Sequence, residues 1–189
     1  MRIIAGVAKG RNLVSVANLT RPTSDRAREA LFSSIQSEFG DFSGINFLDL
    51  YAGSGAVGLE ALSRGFSSVV AVEKDNSACE TIIKNFELVK RANPPGKFQL
   101  ISSSVEKFLS QSANSKFDVI FLDPPYETEN AEVESILNLL IQNNYLNSES
   151  LVVAERPTKG VQFNWPLPPT SSRNREYGTA TFYFATFDL

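Results

Sequence analysis

Histidine is absent from this 189-residue sequence, and cysteine occurs once, at Cys79. Without histidine the chain has neither a Ser–His–Asp triad nor a histidine base. One cysteine cannot close an internal disulfide, and no Cys/His cluster is present to hold zinc, so we expect no metal site. Cys79 falls in the middle of a predicted helix, where we expect it to pack rather than to act as a nucleophile.

Long apolar runs are also missing. No run is long enough to cross a bilayer. Arg2, Lys9 and Arg11 interrupt the first twenty residues, where a signal peptide would need an apolar core. We therefore expect a cytoplasmic protein without membrane attachment. The hydrophobic fraction of 42% and the charged fraction of 21% are those of a globular chain, and the length suits one ordinary domain.

Basic residues are concentrated at one end of an otherwise acidic chain. The formal net charge is −3. Residues 1–28 hold six basic side chains and one acidic side chain, a net of +5, whereas the remaining twelve basic and twenty acidic side chains give −8. A basic segment ahead of an acidic body suggests that a polyanion is bound at that end. The alternative is a solvated basic face without a partner.

The stretch Asn46–Leu62, NFLDLYAGSGAVGLEAL, has the order of a buried strand, a glycine turn and a helix start. Gly53, Gly55 and Gly58 have the spacing G-x-G-x-x-G, which fits a dinucleotide-binding fingerprint. A helix start presents free backbone N–H groups, and glycine lets a ligand approach the backbone closely. An acid, Glu73, ends the next apolar run, where sheets of this kind bind ribose hydroxyls. The pattern indicates a nucleotide-like cofactor.

A second motif, Asp123-Pro124-Pro125-Tyr126, ends a later apolar strand. A dehydrogenase has no evident use for it, but a methyltransferase acting on an amino nitrogen does. The amine of guanine or adenine is a poor nucleophile, since its lone pair is delocalised into the ring. The Asp123 carboxylate can accept one N–H and the Pro124 carbonyl the other, while the two prolines fix the backbone. Tyr126 offers a ring for a flipped base, worth roughly 1–3 kcal/mol of stacking.

These motifs together predict a site for S-adenosylmethionine. Its methionine end is expected over the glycine turn, with Asp49 bonding the amino group and Glu73 the ribose. The loop after the third strand should meet the adenine, with Val105 covering the ring and Ser104 bonding its amino group. The residues assigned to cofactor binding are Asp49, Tyr51, Gly53, Ser54, Gly55, Glu73, Ser104 and Val105.

Strands and helices alternate through most of the chain. The predicted strands are near-continuous apolar runs, as parallel strands buried on both faces must be: Ile45–Tyr51, Ser68–Glu73, Phe98–Ser102, Phe117–Leu122 and Ser150–Glu155. The predicted helices between them are Ala56–Arg64, Asn76–Lys90, Val105–Ser110 and Asn130–Asn143. Arg173–Tyr177 and Thr179–Phe187 flank Gly178 too closely for a crossover helix, so they predict an antiparallel hairpin.

The fold class that follows is α/β, a Rossmann-like class I methyltransferase. It has a mostly parallel seven-stranded sheet, an antiparallel C-terminal hairpin and helices on both faces. At the other end of the chain, Arg2–Gly6 and Arg11–Val16 predict a small β-hairpin. Thr23 or Ser24 can cap a helix that runs to about Phe39. Its apolar stripe leaves Arg26 and Arg28 off the packed face.

Four segments of the sequence resemble the bacterial 16S ribosomal RNA guanine-N2 methyltransferase family: MRIIAGVAKGRNL, RPTSDRAREALF, FLDLYAGSGAVGLEALSRG and FDVIFLDPPY. The resemblance covers nearly the whole chain. It implies methyl transfer from S-adenosylmethionine to N2 of one guanine in 16S rRNA, within the 30S subunit or a late assembly particle. By match to the motifs, it gives Asp123–Tyr126 the catalytic role, and Gly53, Gly55 and Glu73 the cofactor role.

We expect residues 1–40 to form an RNA-docking extension and residues 41–189 to form the methyltransferase domain of a monomer. The residues assigned to substrate binding are Lys9, Arg11, Arg21, Thr23 and Arg26. Two other readings stay open. One keeps the enzyme and changes the acceptor, to DNA adenine-N6 or protein glutamine-N5. The other is a cofactor-binding RNA assembly factor without catalysis, which the intact Asp123–Tyr126 motif disfavours.

Overall fold

The computed structural model describes residues 1–16, 24–159 and 163–188. Two residues predicted to bind substrate, Arg21 and Thr23, lie outside the described residues. Within the described part of the chain, no helix is long and apolar enough to span a membrane.

Helices and strands alternate along the chain. The helices are α1 (Asp25–Phe39), α2 (Ala56–Arg64), α3 (Asn76–Lys90), α4 (Val105–Leu109) and α5 (Asn130–Gln142). The strands are β1 (Asn46–Leu50), β2 (Ser68–Glu73), β3 (Lys97–Ser102), β4 (Phe117–Leu122), β5 (Leu146–Pro157), β6 (Ser171–Tyr177) and β7 (Ala180–Thr186).

The seven strands form one sheet in the order β3-β2-β1-β4-β5-β7-β6. The first five are parallel, and β7 is antiparallel to both β5 and β6. The predicted fold class is therefore confirmed. The strand order reverses between β1 and β4, because the chain moves outward from β1 to β3 and then returns to the other side. Open α/β sheets bind ligands at such a switch point, beyond the carboxyl ends of the strands.

Burial on both faces explains why most strands could be predicted. Every residue of β4 except Asp118 is buried, and β4 lies in the middle of the sheet between β1 and β5. Strand β5 begins at Leu146 rather than at Ser150. The Ser150 hydroxyl accepts the Asn147 N–H at 2.6 Å and donates to the Phe117 carbonyl at 2.6 Å. Side-chain bonds thus hold this polar beginning of the strand to β4, where no apolar pattern marks it.

The N-terminal segment, residues 1–16, is hydrogen-bonded both to itself and to the helices. The predicted antiparallel pairing is present but reduced to one bridge, Arg2 with Asn12. The N–H groups of Ile4 and Ala5 instead donate to the Glu60 carboxylate on α2, at 2.7 and 2.9 Å. These two N–H groups are therefore satisfied by a side chain of α2 and not by a continued two-stranded ladder.

Helix α1 begins where predicted, with the Ser24 hydroxyl accepting the Ala27 N–H at 3.1 Å. The expectation that Arg28 lies on an open face is wrong. Its side chain is fully buried. Its guanidinium donates to the Arg2 carbonyl at 2.6 Å and to Asp25 at 3.0 Å, and it lies 4.0 Å from the Glu60 carboxylate. Arg28 therefore fastens the N-terminal segment to α2 and cannot contact RNA.

Candidate active site

A cavity of about 830 Å³ opens at the carboxyl ends of the parallel strands. It contains residues from both sequence motifs: the glycine turn after β1 and the Asp-Pro-Pro-Tyr loop after β4. Ten of the residues predicted for the site line it, namely Asp49, Tyr51, Gly53, Ser54, Glu73, Val105, Asp123, Pro124, Pro125 and Tyr126. The sheet thus brings together in one space two motifs that are about seventy residues apart in the chain.

The turn between β1 and α2 has a backbone shape that depends on glycine. Gly55 has φ +76° and precedes the first residue of α2. A Cβ at Gly55 would lie 3.2 Å from the Ile82 side chain. Gly55 does not line the cavity, so it shapes the turn that presents Gly53 and Ser54. Tyr51 is held at φ +63°, an uncommon conformation for a bulky residue and one that clusters at ligand sites.

Asp49 is a buried carboxylate at the base of this cavity. One of its oxygens accepts the Gly58 N–H of α2 at 2.8 Å. The pKa of Asp49 is raised to about 8, chiefly by burial and also by the nearby carboxylates of Asp123 and Glu73, while the Gly58 bond opposes the shift. A positive group bound beside Asp49 would stabilise its ionised form and lower this pKa. The cavity therefore contains an acid suited to pair with a ligand ammonium group.

Glu73 ties the end of β2 to the glycine turn. One carboxylate oxygen accepts the Gly53 N–H at 2.8 Å, and the other accepts the N–H groups of Lys74 and Asp75, each at 2.8 Å. A carboxylate has about four acceptor positions, so one is left on the oxygen that faces Gly53. Asp75 caps α3 by accepting the Ala78 N–H at 2.8 Å.

The Asp-Pro-Pro-Tyr loop leaves β4 directly at the cavity. The Asp123 N–H donates to the Leu50 carbonyl of β1 at 3.3 Å, and the Pro125 carbonyl accepts the Thr128 N–H at 2.9 Å. These bonds fix the loop at both ends. The Tyr126 side chain is 42% exposed, although it lines the cavity. An exposed aromatic ring at the mouth of a polar cavity is available for stacking with a planar ligand.

Comparison with known proteins agrees with this geometry. The family described as Conserved hypothetical protein 95 matches residues 1–186. Ribosomal RNA small subunit methyltransferase D of Escherichia coli K12 is 35% identical over 172 residues, which cover 88% of this chain and 82% of that protein. The chain belongs to this methyltransferase D family.

Two further proteins show the same likeness to this chain. Ribosomal RNA small subunit methyltransferase D of Haemophilus influenzae is 38% identical over 162 residues, covering 82% of this chain and 78% of that protein. The solved structure of yhhF from Escherichia coli superposes with a TM-score of 0.84 at 30% identity, covering 100% of this chain and 99% of that one. The family resemblance predicted from the four sequence segments is thereby confirmed.

Ser104 is placed differently in this family member from what the sequence suggested. Its hydroxyl caps α4 by accepting the Lys107 N–H at 3.3 Å. Ser104 does not line the cavity, whereas its neighbours Ser103 and Val105 do. A capping side chain points its oxygen toward the N–H groups of the first helical turn. Ser104 is therefore turned toward α4, and Ser103 is the serine that faces the cavity.

The predicted substrate-binding bases that the structure describes lie away from the cavity. Lys9 and Arg26 are exposed and Arg11 is half-buried, and none of the three lines it. Their role in docking stays a prediction. No group of three or more metal-ligating side chains occurs in residues 1–16, 24–159 and 163–188. Cys79 is buried, and its thiol donates to the Glu73 carbonyl at 3.4 Å, which fits the packing role expected for it.

Sequence reasoning missed two charged residues at the end of β5. Glu155 is buried and lines the cavity. Arg156 is also buried, and its guanidinium donates to the Thr128 carbonyl and to Asn130, the latter at 3.3 Å. Burial lowers the pKa of Arg156, while the charge of Asp123 opposes that shift. The sequence did carry one signal for Glu155: it is an acid at the end of an apolar run, and Glu73 and Asp123 occupy the same kind of position.

Three residues of the N-terminal segment also line the cavity, namely Met1, Ser15 and Val16. Asn85 of α3 is fully buried and holds this segment in place. Its amide accepts the Val14 N–H at 2.7 Å and donates to the carbonyls of Val14 at 3.0 Å and of Ser54 at 2.9 Å. One side chain therefore links the N-terminal segment to the glycine turn. No local sequence pattern could have revealed this contact.

Proposed function

We propose that this chain transfers a methyl group from S-adenosylmethionine to the exocyclic N2 of a guanine in 16S ribosomal RNA. The observation that supports it is the single cavity shared by the glycine turn and the Asp-Pro-Pro-Tyr loop. The glycine turn suits a nucleotide-like cofactor, and the Asp-Pro-Pro-Tyr loop suits an aromatic amine. Membership of the methyltransferase D family points to the small-subunit RNA as the class of substrate.

The residues around the turn fit S-adenosylmethionine. Gly53 and Ser54 hold its methionine end, and the buried Asp49 carboxylate pairs with its ammonium group. Glu73 keeps an acceptor position for a ribose hydroxyl, although three backbone N–H groups already bind its carboxylate. Val105 and Ser103 face the adenine. Asp49 is buried and has a raised pKa, and an ammonium group bound beside it would stabilise its ionised form.

When bound, S-adenosylmethionine supplies an electrophilic methyl group. The chain's own residues then act by position. Asp123 and the Pro124 carbonyl each accept one N–H of the guanine amine, so that its lone pair faces the methyl group, and Tyr126 stacks on the base. Such alignment is a large source of rate acceleration. The amine becomes more acidic as it gains the methyl, so a chain without histidine needs no strong base.

We place the docking surface on the exposed bases Lys9 and Arg26 with the half-buried Arg11, because the rest of the chain is acidic. The substrate is the 30S subunit or a late assembly particle, and the enzyme is a cytoplasmic monomer. Few phosphate contacts are available, so binding to naked RNA should be weak.

The experiment is methylation of undermethylated 30S subunits with labelled cofactor. The RNA is then digested to nucleosides, and the modified base is identified by mass spectrometry and mapped. The proposal predicts N2-methylguanosine at one position. N6-methyladenosine, or label in ribosomal protein, would contradict it. A folded protein that binds cofactor but labels nothing would support a non-catalytic assembly factor.

A further inference from the structure

Asn85 is a polar residue on the buried face of α3. It shares that face with Ala78, Ile82 and Val89, and its side chain is fully buried. It does not line the cavity, and the proposed function gives it no part. A buried amide loses its contacts with water, so it is retained where hydrogen bonds within the protein offset that loss. The groups to which Asn85 is bonded therefore indicate what it does.

Both ends of the Asn85 amide are occupied by backbone groups. Its oxygen accepts the Val14 N–H at 2.7 Å, and its NH₂ group donates to the carbonyls of Val14 at 3.0 Å and of Ser54 at 2.9 Å. An amide NH₂ has two N–H donors, and both are used here. Turning the amide over would place its NH₂ against an N–H and its oxygen against two carbonyls. The backbone partners therefore allow only one orientation of this side chain.

The two partners of Asn85 belong to different parts of the cavity wall. Ser54 lines the cavity itself, and Val14 is followed by Ser15 and Val16, which also line it. The side chains of Val14 and Ser15 are exposed, so burial contributes little to holding this stretch in place. The two bonds between Asn85 and Val14 therefore fix the backbone at the point where the N-terminal segment reaches the cavity.

The bond to Ser54 fixes the glycine turn. A peptide group is planar, so the direction of the Ser54 carbonyl also sets the direction of the Gly55 N–H. Asn85 binds the carbonyl, and the Gly55 N–H donates to the Ala52 carbonyl at 2.8 Å. This peptide group is therefore held at both of its ends. A carbonyl turned toward the cavity would instead repel the carboxylate at the methionine end of the cofactor, which is bound best by N–H groups.

We propose that Asn85 is a positioning residue for S-adenosylmethionine: it joins residues 14–16 to the glycine turn, so that both hold the same cofactor. The inference rests on the proposed function, since it takes the cavity to be the cofactor site. Asn85 acts through Val14 and Ser54 and does not touch the cofactor. Cofactor affinity should therefore depend on this one buried amide, whereas alignment of the acceptor amine by the Asp-Pro-Pro-Tyr loop should not.

Asn85→Asp tests the inference with little change in side-chain volume. A carboxylate can still accept the Val14 N–H, but its second oxygen faces two carbonyls and cannot donate to them. Calorimetry should show S-adenosylmethionine binding that is weaker by about 5- to 100-fold. Single-turnover methylation of 30S subunits at saturating cofactor should stay within a few-fold of the wild-type rate. Unchanged affinity, or a rate that is lost at saturating cofactor, overturns the inference.

Ser63→Ala is the matched control, because Ser63 ties the same N-terminal segment to α2 away from the cavity. Its side chain is buried, and its hydroxyl accepts the Ala8 N–H at 2.9 Å and donates to the Ala5 carbonyl at 2.7 Å. Both variants should lower the melting temperature, but Ser63→Ala should leave cofactor affinity near the wild-type value. Equal weakening of cofactor binding in the two variants overturns the inference, since that result indicates a general loss of structure.

Hydrogen exchange of the wild-type protein gives a second test, which does not require a folded variant. Bound S-adenosylmethionine should slow exchange of the Val14 N–H more than that of the Ala8 N–H, because the first is bonded to Asn85 and the second to Ser63. No slowing at Val14, or equal slowing at both amides, overturns the inference. Failure of the proposed function gives a different result: the wild-type protein then binds no S-adenosylmethionine in calorimetry, and the positioning role falls with it.

Discussion

Replacement of Asp49 by asparagine should change how the stability of the protein depends on pH. Asp49 has an ordinary pKa of 3.8 in the unfolded chain and about 8 in the folded protein. Between these values the folded state binds a proton that the unfolded state has lost. Stability therefore falls as pH rises through this window, and the loss ends above about pH 8. Asparagine cannot ionise, and its side-chain oxygen can still accept the Gly58 N–H.

The size of this change in stability follows from the pKa shift of Asp49. Each unit of pH within the window removes about 1.4 kcal/mol. Between pH 5 and pH 9 the wild-type protein should lose about 4 kcal/mol relative to Asp49→Asn, as an order-of-magnitude figure. In a domain of this length that corresponds to a melting-temperature difference of about 10 °C between the two profiles.

The assay is thermal unfolding of cofactor-free protein at pH 5, 7 and 9, for the wild type and the variant. The pH dependence of other groups cancels in the difference between the two proteins. Glu127→Gln serves as control, because it removes one carboxylate at an exposed position of the same cavity. Parallel profiles for the wild type and Asp49→Asn would refute the claim that the pKa of Asp49 is raised in the folded protein.

Two further predictions concern binding. Glu73→Ala should weaken S-adenosylmethionine binding in calorimetry, because it removes both a ribose contact and the bond that holds the Gly53 N–H; wild-type affinity in a folded variant would exclude the assignment. The triple variant with Lys9, Arg11 and Arg26 changed to alanine should bind 30S subunits more weakly, with a log–log salt slope that is shallower by about 0.7 per lost contact. Its cofactor affinity and melting temperature should stay nearly unchanged, and normal subunit binding together with damaged cofactor binding would reject docking.

The fold was predictable because the central strands are buried and therefore appear in the sequence as apolar runs. The bounds of β2 and β4 agree with the sequence prediction, since an apolar run buried on both faces leaves a continuous signal. The bounds of α2 and α3 also agree with the prediction. The N-terminal segment was less predictable. Its backbone bonds go to Glu60, Ser63 and Asn85, which lie more than fifty residues away in the chain, and no local pattern encodes such partners.

In the candidate site, too, residues within a local motif were predictable and residues that depend on distant contacts were not. Asp123–Tyr126 and the glycine turn were found because the spacing of residues within each motif carries the chemistry. Arg28 was misjudged because helical periodicity places a charge outside, whereas Asp25 and Glu60 provide partners that allow its burial. Glu155 was missed because a single acid near the end of an apolar strand is not a motif. Its place in the cavity follows from the register of the two parallel strands, in which Leu122 of β4 is paired with Ala154 of β5.

Single-turnover methylation of 30S subunits by Asp123→Ala tests the central claim most directly. The variant should bind S-adenosylmethionine with nearly wild-type affinity, because Asp123 is assigned to the acceptor amine and not to the cofactor. Its methylation rate should fall by at least about 100-fold, in the range reported for loss of one catalytic contact. A rate within a few-fold of the wild type, with cofactor and subunits both bound, would contradict the account that Asp123 orients the guanine amine.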